Sequence, residues 1–129
     1  YGNIINDRQY QRLLAVLEDA KAKGATITSA IDGPISTTQR KIATQLVTHT
    51  TDDMLIMQDE IFGPILPIIS YQSVDEAIGY INRNDRPLAL YLMSFEQQTQ
   101  QQVLQQTHSG GVCINDTVFH VAADDAPFG

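Results

Sequence analysis

Residues 65–115 read ILPIISYQSVDEAIGYINRNDRPLALYLMSFEQQTQQQVLQQTHSGGVCIN, and this stretch decides the fold. Ile65 to Tyr71 is a nearly continuous apolar run, the pattern of a strand buried on both faces beneath helices. Pro67 inside it moves the strand to an edge or a bulged position, because proline cannot donate to a ladder. Ser73 with Glu76 three residues on is a capping-box pattern that opens a helix, and Ala77, Ile78, Tyr80 and Ile81 supply its apolar side. Pro87 then opens Leu88 to Met93, a second buried-strand pattern. Ser94 with Gln97 repeats the cap, and a helix is predicted to about Thr107. Seven of its residues between 97 and 106 are Gln, which reads as a solvated face of good helix formers. Ser109-Gly110-Gly111 ends it, and Val112 to Asn115 is a short strand. Strand, helix, strand, helix, strand is the rhythm of an α/β fold: an open, mostly parallel sheet with flanking helices.

Upstream, Tyr10, Leu13, Leu14 and Leu17 fall at i, i+3, i+4 and i+7, one face of a helix over about residues 7–23. Asn6 and Gln9 form a capping-box pattern at its start, and Gly24 is its stop. Residues 25–31 are small and β-branched and read as a short strand broken by Asp32-Gly33-Pro34. Residues 41–48 read as a further extended segment, and Met54 to Met57 as a short one. The chain shows no internal repeat and no internal linker.

The 129 residues fit one domain, with 43% apolar and 18% charged side chains in the globular range. No run approaches the ~18 apolar residues of a membrane span. Eight basic against fifteen acidic side chains give a net charge of −7. So acidic a chain is poorly suited to nucleic-acid phosphates or to anionic membrane surfaces. One cysteine, Cys113, excludes an internal disulfide and a multi-cysteine metal site, and fits a reducing, cytoplasmic setting. The chain opens on Tyr1-Gly2-Asn3 without an initiator Met and closes on Pro127-Phe128-Gly129. An excised piece of a longer polypeptide is therefore expected.

The histidines, His49, His108 and His120, have no metal-ligand spacing to one another or to Cys113. His108 suits a helix C-terminus as a dipole partner. Cys113, in a predicted buried strand, reads as an inert small hydrophobe. No glycine-rich phosphate loop is present, and Asp52-Asp53 and Asp124-Asp125 read as solvated turns. One segment stands apart. Met57-Gln58-Asp59-Glu60-Ile61-Phe62-Gly63-Pro64 sets a carboxylate two residues before an aromatic ring, in a turn leading into a strand. A carboxylate there can accept two hydrogen bonds from a ribose diol, and a ring beside it offers an apolar wall to a flat heterocycle. From residue types alone, Glu60 is equally a surface charge and Phe62 equally a core residue.

EIFGPILPI (60–68) resembles the signature loop of the aldehyde dehydrogenase superfamily. YGNIINDRQYQRLL (1–14), RPLALYLMS (86–94), SGGVCIND (109–116) and the closing PFG (127–129) resemble, in order, segments of its class 3 branch downstream of the catalytic cysteine. DDMLIMQDEIFGPILPI with RPLALY is most similar to the bacterial coniferyl aldehyde dehydrogenase group. Thr44-Gln45 departs from the Pro-Thr usual there, which touches only local backbone shape.

The resemblance implies an NAD(P)-dependent oxidation of an aldehyde, aromatic and coniferyl aldehyde-like, to the carboxylic acid. Cysteine thiolate attack, hydride transfer to the nicotinamide and hydrolysis activated by a glutamate base make up the family chemistry. Glu60 matches the glutamate that holds the nicotinamide ribose, and Phe62 the aromatic packed against the nicotinamide end. Asn115, Val118, Val121, Ala122 and Phe128 fall in the loop that walls the substrate pocket. By the same resemblance the chain, residues 1–129, is part of a catalytic domain, with the nucleophilic cysteine, the general base and the NAD(P)-binding domain upstream. Cys113 does not match the nucleophile. The isolated chain is expected to be inactive, to hold NAD or NADP weakly, and to form homo-oligomers through open sheet edges. The alternative is a naturally short, non-catalytic binding or oligomerisation module on the same fold. A semialdehyde dehydrogenase linked to acyl-CoA or phosphate is a third reading, against which RPLALY and SGGVCIND argue.

Overall fold

Asn6 opens the first helix, α1 (Asp7–Ala22), by accepting the Gln9 backbone N–H at 2.9 Å. Only this half of the expected capping box forms, because Arg12 Nε donates to the Gln9 side-chain oxygen at 2.8 Å. The computed structural model describes residues 2–31 and 39–122; the Asp32-Gly33-Pro34 breaker and Phe128 lie outside them. Two compact units form, within residues Tyr1–Ser70 and Tyr71–Gly129.

In the first unit α1 buries one stripe, Tyr10, Leu13, Val16, Leu17 and Ala20, with Leu14 half-buried at its margin. Gly24, at φ 97°, ends the turn in the left-handed region that suits glycine. Three strands follow, β1 (Thr26–Ser29), β2 (Gln45–Thr48) and β3 (Ile65–Pro67), in the order β1-β2-β3. β1 runs antiparallel to β2, while β3 runs parallel to it with Gln45 opposite Ile65. Val47 and Ile65 join the α1 stripe, Ile42, Met54 and Ile56 in one core. The expected extended segment 41–48 narrows to β2. Gln45, at the position departing from the family pattern, is buried and turns its Nε2 onto the Ala43 carbonyl at 2.8 Å.

Two expectations are corrected here. β3 is an edge strand, as Pro67 requires, but it is not buried on both faces. Leu66 is 54% exposed, and Ile68 and Ile69 are exposed as well. α1 covers only the face that carries Val47 and Ile65. The segment Met54 to Met57 is not extended; it belongs to a short helix, α2 (Leu55–Gln58). Met54 at its N-cap has no capping oxygen, and Asp19 of α1 supplies one, accepting the Leu55 N–H at 2.8 Å. Lys23 Nζ completes the junction, 2.9 Å from Asp19, 3.6 Å from the Asp53 carboxylate and 2.6 Å from the Asp53 carbonyl. The Leu55 hydrogen bond, then Lys23, hold the Asp19 carboxyl below its ordinary range.

The second unit begins with α3 (Val74–Arg83), capped by Ser73 Oγ on the Glu76 N–H at 3.2 Å. The Glu76 carboxylate reaches back to the Gln72 N–H at 2.8 Å, one residue earlier than the standard box. β4 (Ala89–Leu92), α4 (Gln97–Gln106) and β5 (Gly111–Ile114) form a strand–helix–strand unit with β4 and β5 parallel. The expected Ser94 cap is corrected. Ser94 Oγ accepts the Glu96 N–H at 3.2 Å in a tight turn, so Glu96 becomes the N-cap and Gln97 the first helical residue. The α/β class and mostly parallel pairing hold, with the strands distributed over sheets of three and two. Among the described residues no helix is long and apolar enough to cross a membrane.

Candidate functional site

The turn Glu60 to Pro64 connects α2 to β3 in the first unit. Glu60 is exposed, and its carboxylate has no hydrogen-bond partner among the described residues. Phe62 is 79% exposed with φ 45°, so it is not a core residue. The left-handed region is sparsely populated by bulky residues and costs on the order of 1–3 kcal/mol, a strain that gathers at functional sites. Gly63 lies hard against α1: a Cβ there would stand 2.6 Å from Leu13 Cδ1 and 2.7 Å from Cδ2. Behind the turn the Arg12 guanidinium donates to two consecutive carbonyls, Glu60 O through Nη1 at 3.5 Å and Ile61 O through Nη2. Ahead of it the Gln45 N–H donates to Pro64 O at 2.8 Å, fixing the turn to β2. Phe62, Gly63 and Pro64 line a groove of about 620 Å³ together with Ile4, Ile5 and Ile42. The turn thus presents an open carboxylate and an open ring two residues apart.

In the second unit Asn115 follows β5 at φ 56°. Its side chain bridges the Ser94 backbone, Oδ1 accepting the N–H and Nδ2 donating to the carbonyl, both at 2.9 Å. Asn115 thus ties the end of β5 to the end of β4. Val118 sits at φ 65°, an outlying conformation for a β-branched residue, and is 60% exposed. Val121 and Ala122 are exposed on a 3₁₀ turn, Phe119–Ala122. These candidates share one loop. The groove of this unit, about 310 Å³, lies between α3, α4 and β4 along Ile78, Leu90 and Val103. Phe128 lies outside the described residues. Three of the six described candidates, Phe62, Asn115 and Val118, therefore occupy left-handed backbone.

Cys113 is half-buried rather than buried, with Sγ 3.5 Å from His120 Nδ1. The His120 ring fills the space over Gly111, where a Cβ would meet Cδ2 at 2.7 Å. Among the described residues no three His, Cys, Asp or Glu gather as metal ligands. Sequence reading missed Arg12, a polar helix position whose partners lie 48 and 49 residues away. It also saw Gln9 only as a cap residue.

Signature turn, edge strand and parallel strand–helix–strand unit together define the class: the chain matches the aldehyde dehydrogenase family over residues 1–129 and belongs to it. It is 49% identical over 130 residues to the probable coniferyl aldehyde dehydrogenase of Pseudomonas aeruginosa, covering 100% of this chain and 26% of that protein. Human aldehyde dehydrogenase family 3 member B1 is 44% identical over 128 residues, covering 99% of this chain and 26% of that protein. Staphylococcus aureus AldH, solved in a substrate-bound state, superposes with a TM-score of 0.88 at 43% identity over 100% of this chain and 27% of its own. The chain spans about a quarter of the length of these relatives. The resemblance drawn from the motifs is borne out: the family model matches, and the similar proteins include coniferyl aldehyde dehydrogenases and a family 3 member.

Proposed function

We propose that this chain is the part of an NAD(P)-dependent aldehyde dehydrogenase that holds the nicotinamide end of the cofactor and walls one side of the aldehyde pocket. The observation that carries the reading is the Glu60–Phe62 pair, an open carboxylate and an open ring on a strained turn seated against α1. The Glu60 carboxylate would hold the ribose hydroxyls of the cofactor as a hydrogen-bond acceptor, and the Phe62 ring would offer an apolar wall to its nicotinamide. A nicotinamide cofactor held by these residues would supply the hydride acceptor for the oxidation. Asn115 holds the loop of Val118, Val121 and Ala122 to the end of β4, and those apolar side chains suit an aromatic aldehyde of the coniferyl kind. The product is the carboxylic acid. A cytoplasmic setting belongs to the same proposal, supported by an acidic chain with one cysteine.

On the resemblance, neither nucleophile nor general base is among residues 1–129, so the chain alone forms no NAD(P)H from an aldehyde. The test is steady-state kinetics of the intact enzyme with coniferyl aldehyde. Glu60→Gln raises KM for NAD(P)+ by about tenfold or more, the loss of charge-assisted hydrogen bonds, with little change in KM for the aldehyde. An unchanged cofactor KM in Glu60→Gln contradicts the reading.

A further inference from the structure

We infer that Arg12 is a positioning residue for the cofactor turn: its guanidinium clamps the Glu60 and Ile61 carbonyls and so sets where the Glu60 carboxylate and the Phe62 ring point. The inference rests on the reading of Glu60 and Phe62 as the nicotinamide-side contacts.

Three observations converge on this clamp. Arg12 reaches the two peptide carbonyls immediately before Phe62. A planar guanidinium presents several donors in a rigid fork and can bridge consecutive carbonyls, which a lysine ammonium cannot do with fixed geometry. Arg12 is itself aimed. Its Nε donates to the Gln9 side-chain oxygen at 2.8 Å, and the Gln9 backbone is held by the Asn6 cap at 2.9 Å. The third observation lies next door on the helix, where Leu13 meets Gly63 from the same side. The first two turns of α1 thus give the five-residue turn a polar clamp at 60–61 and an apolar stop at 63. Between these fixed points Phe62 sits at φ 45°, a conformation that persists only where its surroundings over-determine it. Release of the two carbonyls lets Phe62 relax toward ordinary backbone and swings Glu60 away from the ribose. Arg12 does not touch the cofactor in this scheme; it lowers the cost of ordering the turn on binding.

The test compares Arg12→Met, Arg12→Lys and Glu60→Gln in the intact enzyme by calorimetric titration with NAD+ and NADP+. Amide hydrogen exchange of the cofactor-free enzyme is followed in parallel. Arg12→Met is expected to weaken cofactor binding about tenfold, the cost of ordering an unclamped turn when the cofactor binds. It also speeds exchange at the Gln45 and Ile65 amides, which donate to the Pro64 and Gly63 carbonyls of the turn, and leaves exchange in α3 unchanged. Arg12→Lys keeps charge and stem without the fork and recovers only part of both readouts. It supplies the same comparison if Arg12→Met does not fold. Wild-type affinity and wild-type exchange in the Arg12 variants, with weakened binding in Glu60→Gln, overturn the clamp and leave the site standing. Unchanged affinity in all three variants overturns the site reading and the clamp together.

Discussion

Gly63 ties the candidate site to the core through a single missing side chain. A methyl group there meets both Leu13 methyls at under 3 Å, and Leu13 is fully buried. Gly63→Ala is therefore expected to destabilise the chain by about 1–3 kcal/mol, as overpacking does. Combined with Leu13→Ala, which opens the space, its cost is expected to shrink, a coupling that a denaturant double-mutant cycle reads directly. Strict additivity contradicts the contact. At this scale the sequence was informative in kind and silent in geometry. Glu60 and Phe62 were legible as a carboxylate and ring beside a Gly-Pro turn. The exposed ring, its left-handed backbone and the two carbonyls held by Arg12 arise from contacts some fifty residues apart, which no local window contains.

Among the elements, α1 was legible almost residue by residue, because a 3.6-residue apolar stripe, a cap and a terminal glycine all agree. α2 was not. Its capping oxygen comes from Asp19, 36 residues upstream, and Met54 and Ile56 are buried by a core that forms only after folding. The apolar run after Gly63 misled for a similar reason. It signals burial, but α1 covers just one face of β3, and Leu66, Ile68 and Ile69 stay exposed in this unit. The α1–α2 junction carries a pH signature. Hydrogen bonding from Leu55 and pairing with Lys23 lower the Asp19 carboxyl below its ordinary 3.8. A carboxyl lowered in the folded state contributes stability that is present above the unfolded value and lost as pH falls through the folded one. Unfolding midpoints measured from neutral pH down to pH about 3 are expected to fall less steeply in Asp19→Asn than in wild type. Parallel curves contradict the junction.

For the whole molecule, the strand–helix–strand alternation was enough to read an α/β class, and the ordered motifs were enough to read the family. The distribution of strands over two sheets was not legible, because pairing partners are chosen by tertiary packing rather than by strand pattern. Nor was the loop after β5, where the Asn115 side chain ties onto the Ser94 backbone and Asn115 and Val118 occupy left-handed backbone. The open face at Leu66, Ile68 and Ile69 and the side of β3 that pairs with no strand among the described residues lead us to expect self-association of the chain. Light scattering over a concentration series is expected to show a mass above the monomer, reduced by Leu66→Lys. A monomer at every concentration contradicts this. The central claim is that Glu60 and Phe62 receive the nicotinamide end of the cofactor, and a crystal structure of the intact enzyme with NAD(P)+ tests it most directly. The account predicts the Glu60 carboxylate at about 2.5–3.0 Å from both nicotinamide ribose hydroxyls, with the Phe62 ring against the nicotinamide. A ribose held by other residues, with Glu60 left in solvent, contradicts it.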